Sequence, residues 1–465
     1  MIPLSVAQLA GLTGAALDQV PDPGAIVPGP VVIDSREARP GALFAALPGT
    51  RADGHDFAAA AAAAGATVVL ASRPVGVPAL IVSDVQAALA DLAAGVVRRL
   101  PGLTIAGITG SAGKTTTKDL TAELVETLGP TVSNQGSFNN EIGHPLTVLR
   151  VTEQTRYLIS ELSARGPGHI AALCAIAPPR LGAVLCVGHA HAGEFGGIEQ
   201  VARAKSELPA ALPADGVAVL NADDPRVLAM AAVTPARVVT FGRSPDADVR
   251  AVDVTVDETG RAGFTLVTGE GSAPVRLRLY GEHHVSNALA AAALAAELGL
   301  ATDAIAAGLS AAQARSRWRM EVTRRPDGVT IVNDAYNANP ESLRAALATL
   351  SAMTDGGRRH RGFAVLGLMT ELGDQEEEFH EEAGRLAARA GLAGLIVVGD
   401  AAAPILTGAK AAGSWSGEML HVPDKAAALA ALDDRLRDGD VVLVKASHSI
   451  GLEDVALALT GERPR

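Results

Sequence analysis

Residues 107–116 read Gly107-Ile108-Thr109-Gly110-Ser111-Ala112-Gly113-Lys114-Thr115-Thr116, and no other stretch restricts the fold as strongly. An apolar run, Leu103 to Ile108, precedes it and reads as a buried strand. A helical pattern from about Lys114 to Leu128 follows. A glycine-rich turn between strand and helix aims bare backbone N–H groups at one point, and the helix N-terminus adds roughly half a positive charge there. Lys114 adds a full charge, and the Thr115 hydroxyl is a ligand for Mg²⁺. The turn is a cradle for nucleotide phosphates, formed by Gly110, Ser111, Ala112, Gly113, Lys114, Thr115 and Thr116. The full-length phosphate-loop spacing requires glycine at position 108, which is Ile108, so the loop is the shorter Gly110-x-x-Gly113-Lys114-Thr115. An ordinary turn with a solvated lysine is the alternative, but strand, glycines, Lys-Thr and helix in that order weigh against it.

A loop of this kind implies an α/β fold with a mostly parallel sheet. The chain has 465 residues, enough for about three domains. Aromatic residues are 3% and alanine is abundant, so the cores are aliphatic and small. The net charge of −12, without basic runs, argues against a nucleic-acid surface. Two cysteines, Cys174 and Cys186, make no disulfide framework and fit a reducing cytoplasm. Met1-Ile2-Pro3-Leu4-Ser5 has no basic region before an apolar core, so no signal peptide is expected. The most apolar long stretch, Asn287 to Ala312, carries Glu297 and Asp303, so stable membrane insertion is not expected.

Three textures follow one another. Residues 1–100 read as a small α/β unit with strands at Val31–Ile33, Leu43–Leu47, Val68–Leu70 and Ala79–Val82, and a helix at Ala58–Ala64. Residues 101–318 alternate strands and helices from the phosphate loop onward. Strands are expected at Tyr157–Ser160, ending at Glu161, at Ala183–Val187, and at Val217–Leu220. The alternation Arg276-Leu277-Arg278-Leu279 predicts an antiparallel hairpin pair at the sheet edge. Residues 319–465 restart the rhythm at Val329–Val332, Phe363–Leu366, Leu395–Val398 and Val441–Val444. The arginine-rich stretch Arg315–Arg325 reads as the linker before it.

Polar residues cluster where these strands end. Glu161 is placed to hold the Mg²⁺ that bridges nucleotide phosphates, although alone it reads equally as a surface carboxylate. His189 and His191 lie two apart past a strand, on one side if the strand continues. Lys205, in Ala204-Lys205-Ser206-Glu207, reads by itself as a solvated helix lysine. Ser286 or Asn287 is a helix N-cap, or Asn287 presents its amide to a purine edge. Arg319 is a candidate phosphate clamp. Asn333-Asp334-Ala335-Tyr336-Asn337-Ala338-Asn339-Pro340 crowds polar groups between a strand and a helix, more than helix capping alone needs. Lys445-Ala446-Ser447-His448-Ser449 occupies the same kind of position after the last strand.

Together these motifs resemble the Mur ligase family, ATP-dependent amide-bond-forming enzymes of peptidoglycan synthesis, over essentially the whole chain. Asp34-Ser35-Arg36, Pro40-Gly41-Ala42-Leu43-Phe44 and Asp53-Gly54-His55-Asp56-Phe57 resemble a uridine-binding domain, and Ser137-Phe138-Asn139-Asn140-Glu141-Ile142-Gly143 resembles a loop reaching the muramoyl region. The segments His191 to Lys205 and Asn333 to Pro340 are similar to the branch that adds D-alanyl-D-alanine to UDP-N-acetylmuramoyl-tripeptide. The resemblance implies a three-domain architecture. A UDP-sugar-binding domain spans 1–100, a central ATP-binding domain with a mostly parallel sheet spans 101–318, and a Rossmann-like domain completing the site spans 319–465.

It implies ATP and Mg²⁺ as cofactors, with Lys114, Glu161, His191 and Lys205 catalytic. The metal would be held by Thr115, Glu161, His191 and Lys205, the last as a carbamate. Asn287, Arg319 and Asp334 would grip adenine, phosphates and ribose. Ser35, Asn139, Asn140, Tyr336, Asn337, Asn339 and Lys445 would bind the tripeptide and dipeptide substrates. A cytoplasmic monomer is expected. Leu368 stands where the family often has aspartate, and His448 where arginine is common. A folylpolyglutamate synthase-like ligase is the second reading, and an ATP-binding regulatory protein without chemistry the third.

Overall fold

Alternating apolar runs and helices resolve into three large sheets in the computed structural model, which describes residues 1–49, 52–189, 192–413 and 415–462. The central sheet is nine-stranded, in the order Gly271–Tyr280, Arg261–Thr268, Val249–Val256, Arg237–Gly242, Val217–Asn221, Leu181–Val184, Thr104–Thr109, Tyr157–Glu161, Thr131–Ser133. Its pairs are parallel from Thr131–Ser133 to Val249–Val256, and the last two strands form an antiparallel hairpin. Ile105, Ala106 and Ile108 are all buried, as a strand covered on both faces requires. In the hairpin Arg276 and Arg278 are exposed while Leu277 and Leu279 are buried, the period of a strand with one wet face.

Register places the site. Glu161 pairs with Ile108, and Thr109 pairs with Val184. Three neighbouring strands therefore end together, and the phosphate loop, Glu161 and the segment after Val184 emerge at one sheet edge.

The N-terminal sheet has five strands in the order Ala16–Asp18, Ala79–Ile81, Val68–Ala71, Leu43–Ala45, Val31–Val32. Asp84 caps the helix Val85–Val97, which carries Leu89, Leu92 and Val96 into a buried cluster. That cluster also contains Val148, Leu149, Val151 and Leu158 of the central unit, so the two units share one apolar core. The C-terminal sheet has six strands in the order Glu321–Arg324, Thr330–Asn333, Val441–Lys445, Gly362–Leu366, Gly394–Val398, Glu418–Val422.

Three readings of the sequence are corrected. Arg315–Arg325 is not all linker, because Glu321–Arg324 is an antiparallel edge strand against Thr330–Asn333. Upstream of it, Arg315 is paired with Glu123 and Glu126, and Ser316 donates to Asp119 at 2.6 Å. The strand expected over Ala183–Val187 spans Leu181–Val184, so His189 lies in a loop. Ser286 and Asn287 are not N-caps, because their helix begins at His284. The alanine-rich stretch is two helices, His284–Glu297 and Thr302–Ala311. No helix among the described residues is long and apolar enough to cross a membrane.

Candidate active site

The phosphate loop enters its helix, Lys114–Val125, through Gly113, whose φ of 82° lies in the left-handed region that glycine adopts without strain. A Cβ at this position would also collide with the Asn287 amide oxygen. Gly113→Ala is therefore expected to cost about 1–2 kcal/mol of stability and to weaken nucleotide binding by displacing Asn287. Thermal unfolding and nucleotide titration check the two effects. The helix has no side-chain cap, so its first N–H groups face the cavity free of one. The loop is braced from the segment that follows the strand Leu181–Val184: Ser111 N–H donates to Cys186 O at 3.0 Å, Gly188 N–H to Ser111 Oγ at 2.8 Å, and Ala112 N–H to Cys186 Sγ at 3.4 Å. Burial pushes the Cys186 thiol up.

A cavity of about 540 Å³ opens in front of this loop. Ser111 to Thr116, Asn139, Asn140, Glu161 and Asn287 line it from the central unit. Arg319, Asp334, Tyr336, Asn337, Asn339 and Lys445 line it from the C-terminal side. Gly110 sits directly behind the lining, where its carbonyl accepts from Lys114 Nζ at 2.8 Å. Ser35 lies elsewhere, in a 3₁₀ turn beside the N-terminal sheet capped by Asp34. His191 lies outside the described residues.

Glu161 is 1% exposed. Its Oε1 accepts from Asn139 Nδ2 at 2.7 Å, and its backbone N–H donates to Asn134 Oδ1 at 2.6 Å. Its Oε2 is buried with no partner. Such an oxygen is costly unless a cation or donor completes it. Asn134 is in turn held by buried Lys118, whose Nζ donates to Asn134 O at 2.8 Å.

Lys205 is not the solvated lysine that its sequence context predicts. It lies on the helix Ile198–Ala210, is 5% exposed, and has its pKa pushed down to about 7 by burial and then by the charge of Lys114. Burial also lowers the pKa of Lys114 itself, against an opposing pull from Glu161. Two amines near one another, both short of solvent, form a site that attracts anions.

On the opposite wall Lys445, 2% exposed, donates to Asp334 Oδ2 at 2.6 Å and to Asn337 O at 2.8 Å. Asp334 Oδ1 accepts from Met320 N–H at 3.0 Å. Arg319 donates to Ser137 Oγ at 3.1 Å and lies 4.1 Å over the Tyr336 ring, which also stacks with His448 at 5.3 Å. Asn339 caps the helix Pro340–Thr354 and reaches Ser111 O at 3.4 Å, joining the C-terminal side to the phosphate loop. Near Asn287, His283 is pushed down to about 4 by burial, and His284 well below its ordinary value for the same reason. Asn287 and His284 Nδ1 are 3.1 Å apart.

Sequence reasoning missed Glu341, Cys186, Asn134 and the two histidines 283 and 284. Glu341 follows the Asn-Pro turn and was legible only as a helix-start acid. Cys186 reads as an ordinary core residue.

Comparison with known proteins gives the same picture over all three units. Models of the Mur ligase family match residues 30–106 (catalytic domain), 108–295 (middle domain) and 318–448 (glutamate ligase domain). The UDP-N-acetylmuramoyl-tripeptide–D-alanyl-D-alanine ligase of Mycobacterium tuberculosis is 50% identical, over 99% of this chain and 98% of its own length. The crystal structure of MurF from Acinetobacter baumannii superimposes with a TM-score of 0.88 at 31% identity, covering 99% of both chains. MurF from Thermotoga maritima, solved in complex with ADP, gives a TM-score of 0.79 at 30% identity, covering 93% of this chain and 97% of that one.

Proposed function

The chain belongs to the Mur ligase family, and we propose that within it this enzyme joins D-alanyl-D-alanine to UDP-N-acetylmuramoyl-tripeptide with cleavage of ATP to ADP, in peptidoglycan precursor synthesis. The observation that carries this reading is a single cavity bounded by the phosphate loop, the orphaned Glu161 oxygen and the Asp334–Lys445 pair. The full-length likeness to ligases of that specificity supports the choice of substrates.

In this reading the terminal carboxylate of the tripeptide attacks the γ-phosphorus and ADP leaves. The ammonium of the dipeptide gives one proton to water, the free amine attacks the acyl carbon, the C–N bond forms as the acyl C–O bond breaks, and phosphate departs with the second proton from the nitrogen. The protein contributes position and charge rather than covalent chemistry. Gly110–Thr116 and Lys114 cradle the phosphates. Asn287 faces adenine, Arg319 the phosphates and Asp334 the ribose. Ser35, Asn139 and Asn140 hold the sugar nucleotide and its peptide, while Tyr336, Asn337, Asn339 and Lys445 bound the acceptor side. Residues 1–100, 101–318 and 319–465 serve as sugar-nucleotide, ATP and closing domains.

No group of three His, Cys, Asp or Glu side chains is gathered as a metal site among the described residues. The donors nevertheless suit Mg²⁺. The unpartnered Glu161 Oε2 would be a hard oxygen ligand, Thr115 would add a hydroxyl, and a carbamate on Lys205 would supply a third oxygen donor; His191, which lies outside the described residues, is carried only by the family resemblance. Bound there, the ion supplies charge neutralisation between the phosphates. Burial and the charge of Lys114 lower the Lys205 pKa to about 7, which favours the neutral amine that takes up CO₂. We propose a cytoplasmic monomer; that one copy supplies both walls of the cavity is compatible with a monomer.

The assay is ADP release. It is expected with both UDP-N-acetylmuramoyl-tripeptide and D-alanyl-D-alanine present, and not with either alone. Release that needs a folate and glutamate instead would overturn the assignment.

A further inference from the structure

Four carboxylates line the cavity: Glu141, Glu161, Asp334 and Glu341. Glu141 is exposed at the rim. Both oxygens of Asp334 are engaged, by Lys445 and by Met320 N–H. Glu161 carries the oxygen assigned above to the metal. Glu341, at the start of the helix Pro340–Thr354, is left without a use.

Its geometry is specific. Oε1 accepts from His189 N–H and His189 Nδ1, both at 2.9 Å. A carboxylate only accepts, so the imidazole carries its proton on Nδ1. Oε2 is buried and has no partner. The carboxylate lies flat on Gly188, where a Cβ would come within 2.5 Å of its carboxyl carbon. Gly188 N–H is the donor to Ser111 of the phosphate loop. The Cys186 thiol, two residues away, is influenced by Lys205, Lys114 and Glu341 together. Glu341 therefore stands over Gly188 beside the phosphate loop, held by His189 through Oε1, with Oε2 enclosed and lacking a donor while the two walls are together.

The second half-reaction needs the acceptor's amine there. The acceptor arrives with its α-amine as an ammonium and must be held beside the acyl carbon. We propose that Glu341 Oε2 is the docking atom for the ammonium of the acceptor dipeptide, with His189 fixing the carboxylate through Oε1. This rests on the ligase reading above and names the acceptor contact within it. Because Glu341 comes from the C-terminal side and His189 from the central unit, the docking site exists only when the two walls meet.

Glu341→Gln tests the assignment. The amide oxygen still accepts from His189, so the contact between the walls survives, while the charge facing the ammonium is lost. The KM for D-alanyl-D-alanine is expected to rise by about tenfold or more. Two readouts should stay within about twofold of wild type, since one charge-assisted contact accounts for the loss. One is tripeptide-dependent positional isotope exchange in ATP without dipeptide, which reports acyl phosphate formation. The other is hydroxamate formation with hydroxylamine, a nucleophile uncharged at neutral pH. An unchanged dipeptide KM would overturn the proposal. So would a parallel fall in isotope exchange and hydroxamate formation, which would make Glu341 a phosphate or metal residue. If the wild type releases no ADP with both substrates, the ligase reading itself fails. If it does and the variant behaves like it, only the docking assignment fails.

Discussion

Replacing Lys114 with alanine is expected to lower the rate of amide formation by about 10²–10³-fold or more, the range seen when a preorganised charge at a transferring group is removed. The argument begins with where the ammonium is held. Lys114 Nζ donates to Gly110 O at 2.8 Å, which anchors it over the loop and leaves it two donors for a phosphate. Burial pushes its pKa down, so the folded chain gains no stability from the charge. The variant is therefore expected to fold normally while losing chemistry. Circular dichroism and thermal unfolding report the first, and ADP release the second. Near-normal turnover would remove the phosphate loop from the mechanism.

Lys205→Met is expected to abolish ligation, by about 10²-fold or more for a lost charge at the reacting centre, and to raise the thermal midpoint of the ligand-free protein. The sign follows from proton counting. Lys205 has a pKa of about 7 when folded, against 10.5 as its ordinary value. Between those values the unfolded chain binds a proton that the folded chain does not. Ligand-free stability in CO₂-free buffer therefore rises with pH across that window, and the penalty is complete below about 7. The methionine variant lacks this slope, and unfolding curves at several pH values check it. Bicarbonate should flatten the slope in the wild type alone, because a carbamate is anionic and would be drawn to Lys114.

Much of this architecture is legible in the amino-acid order, where local chemistry decides. The strand, glycines, Lys114 and Thr115 declare themselves because the phosphate cradle is contiguous in the chain. The hairpin near Arg276–Leu279 is legible because one wet face imposes alternation. Other parts are invisible because they are tertiary. Leu185-Cys186-Val187 reads as strand because it is apolar. Yet it leaves the sheet to lie under the phosphate loop, where Cys186 bonds Ser111 and Ala112. Glu418–Val422 escapes notice because an edge strand tolerates Glu418 and His421. Lys205 looks solvated until the helix carrying it is packed against the site. Nothing near Glu341 in the sequence announces that its partner is His189, 152 residues away.

The apolar core common to the N-terminal and central units divides mobility unevenly. Leu89 and Leu92 are embedded beside Leu149 and Leu158, so parting those two units would wet an aliphatic seam. The C-terminal unit meets its neighbour through smaller contacts: Glu341 on His189, Asn339 on Ser111, Arg359 on Glu258, the His189 and Phe379 rings, and Tyr280 packed against the core that holds Met353. The molecule is thus built like a vice with one jaw cast into the bench. In the proposed ligase the sugar nucleotide would rest on the fused pair, and ATP would enter and ADP leave where the C-terminal unit meets it.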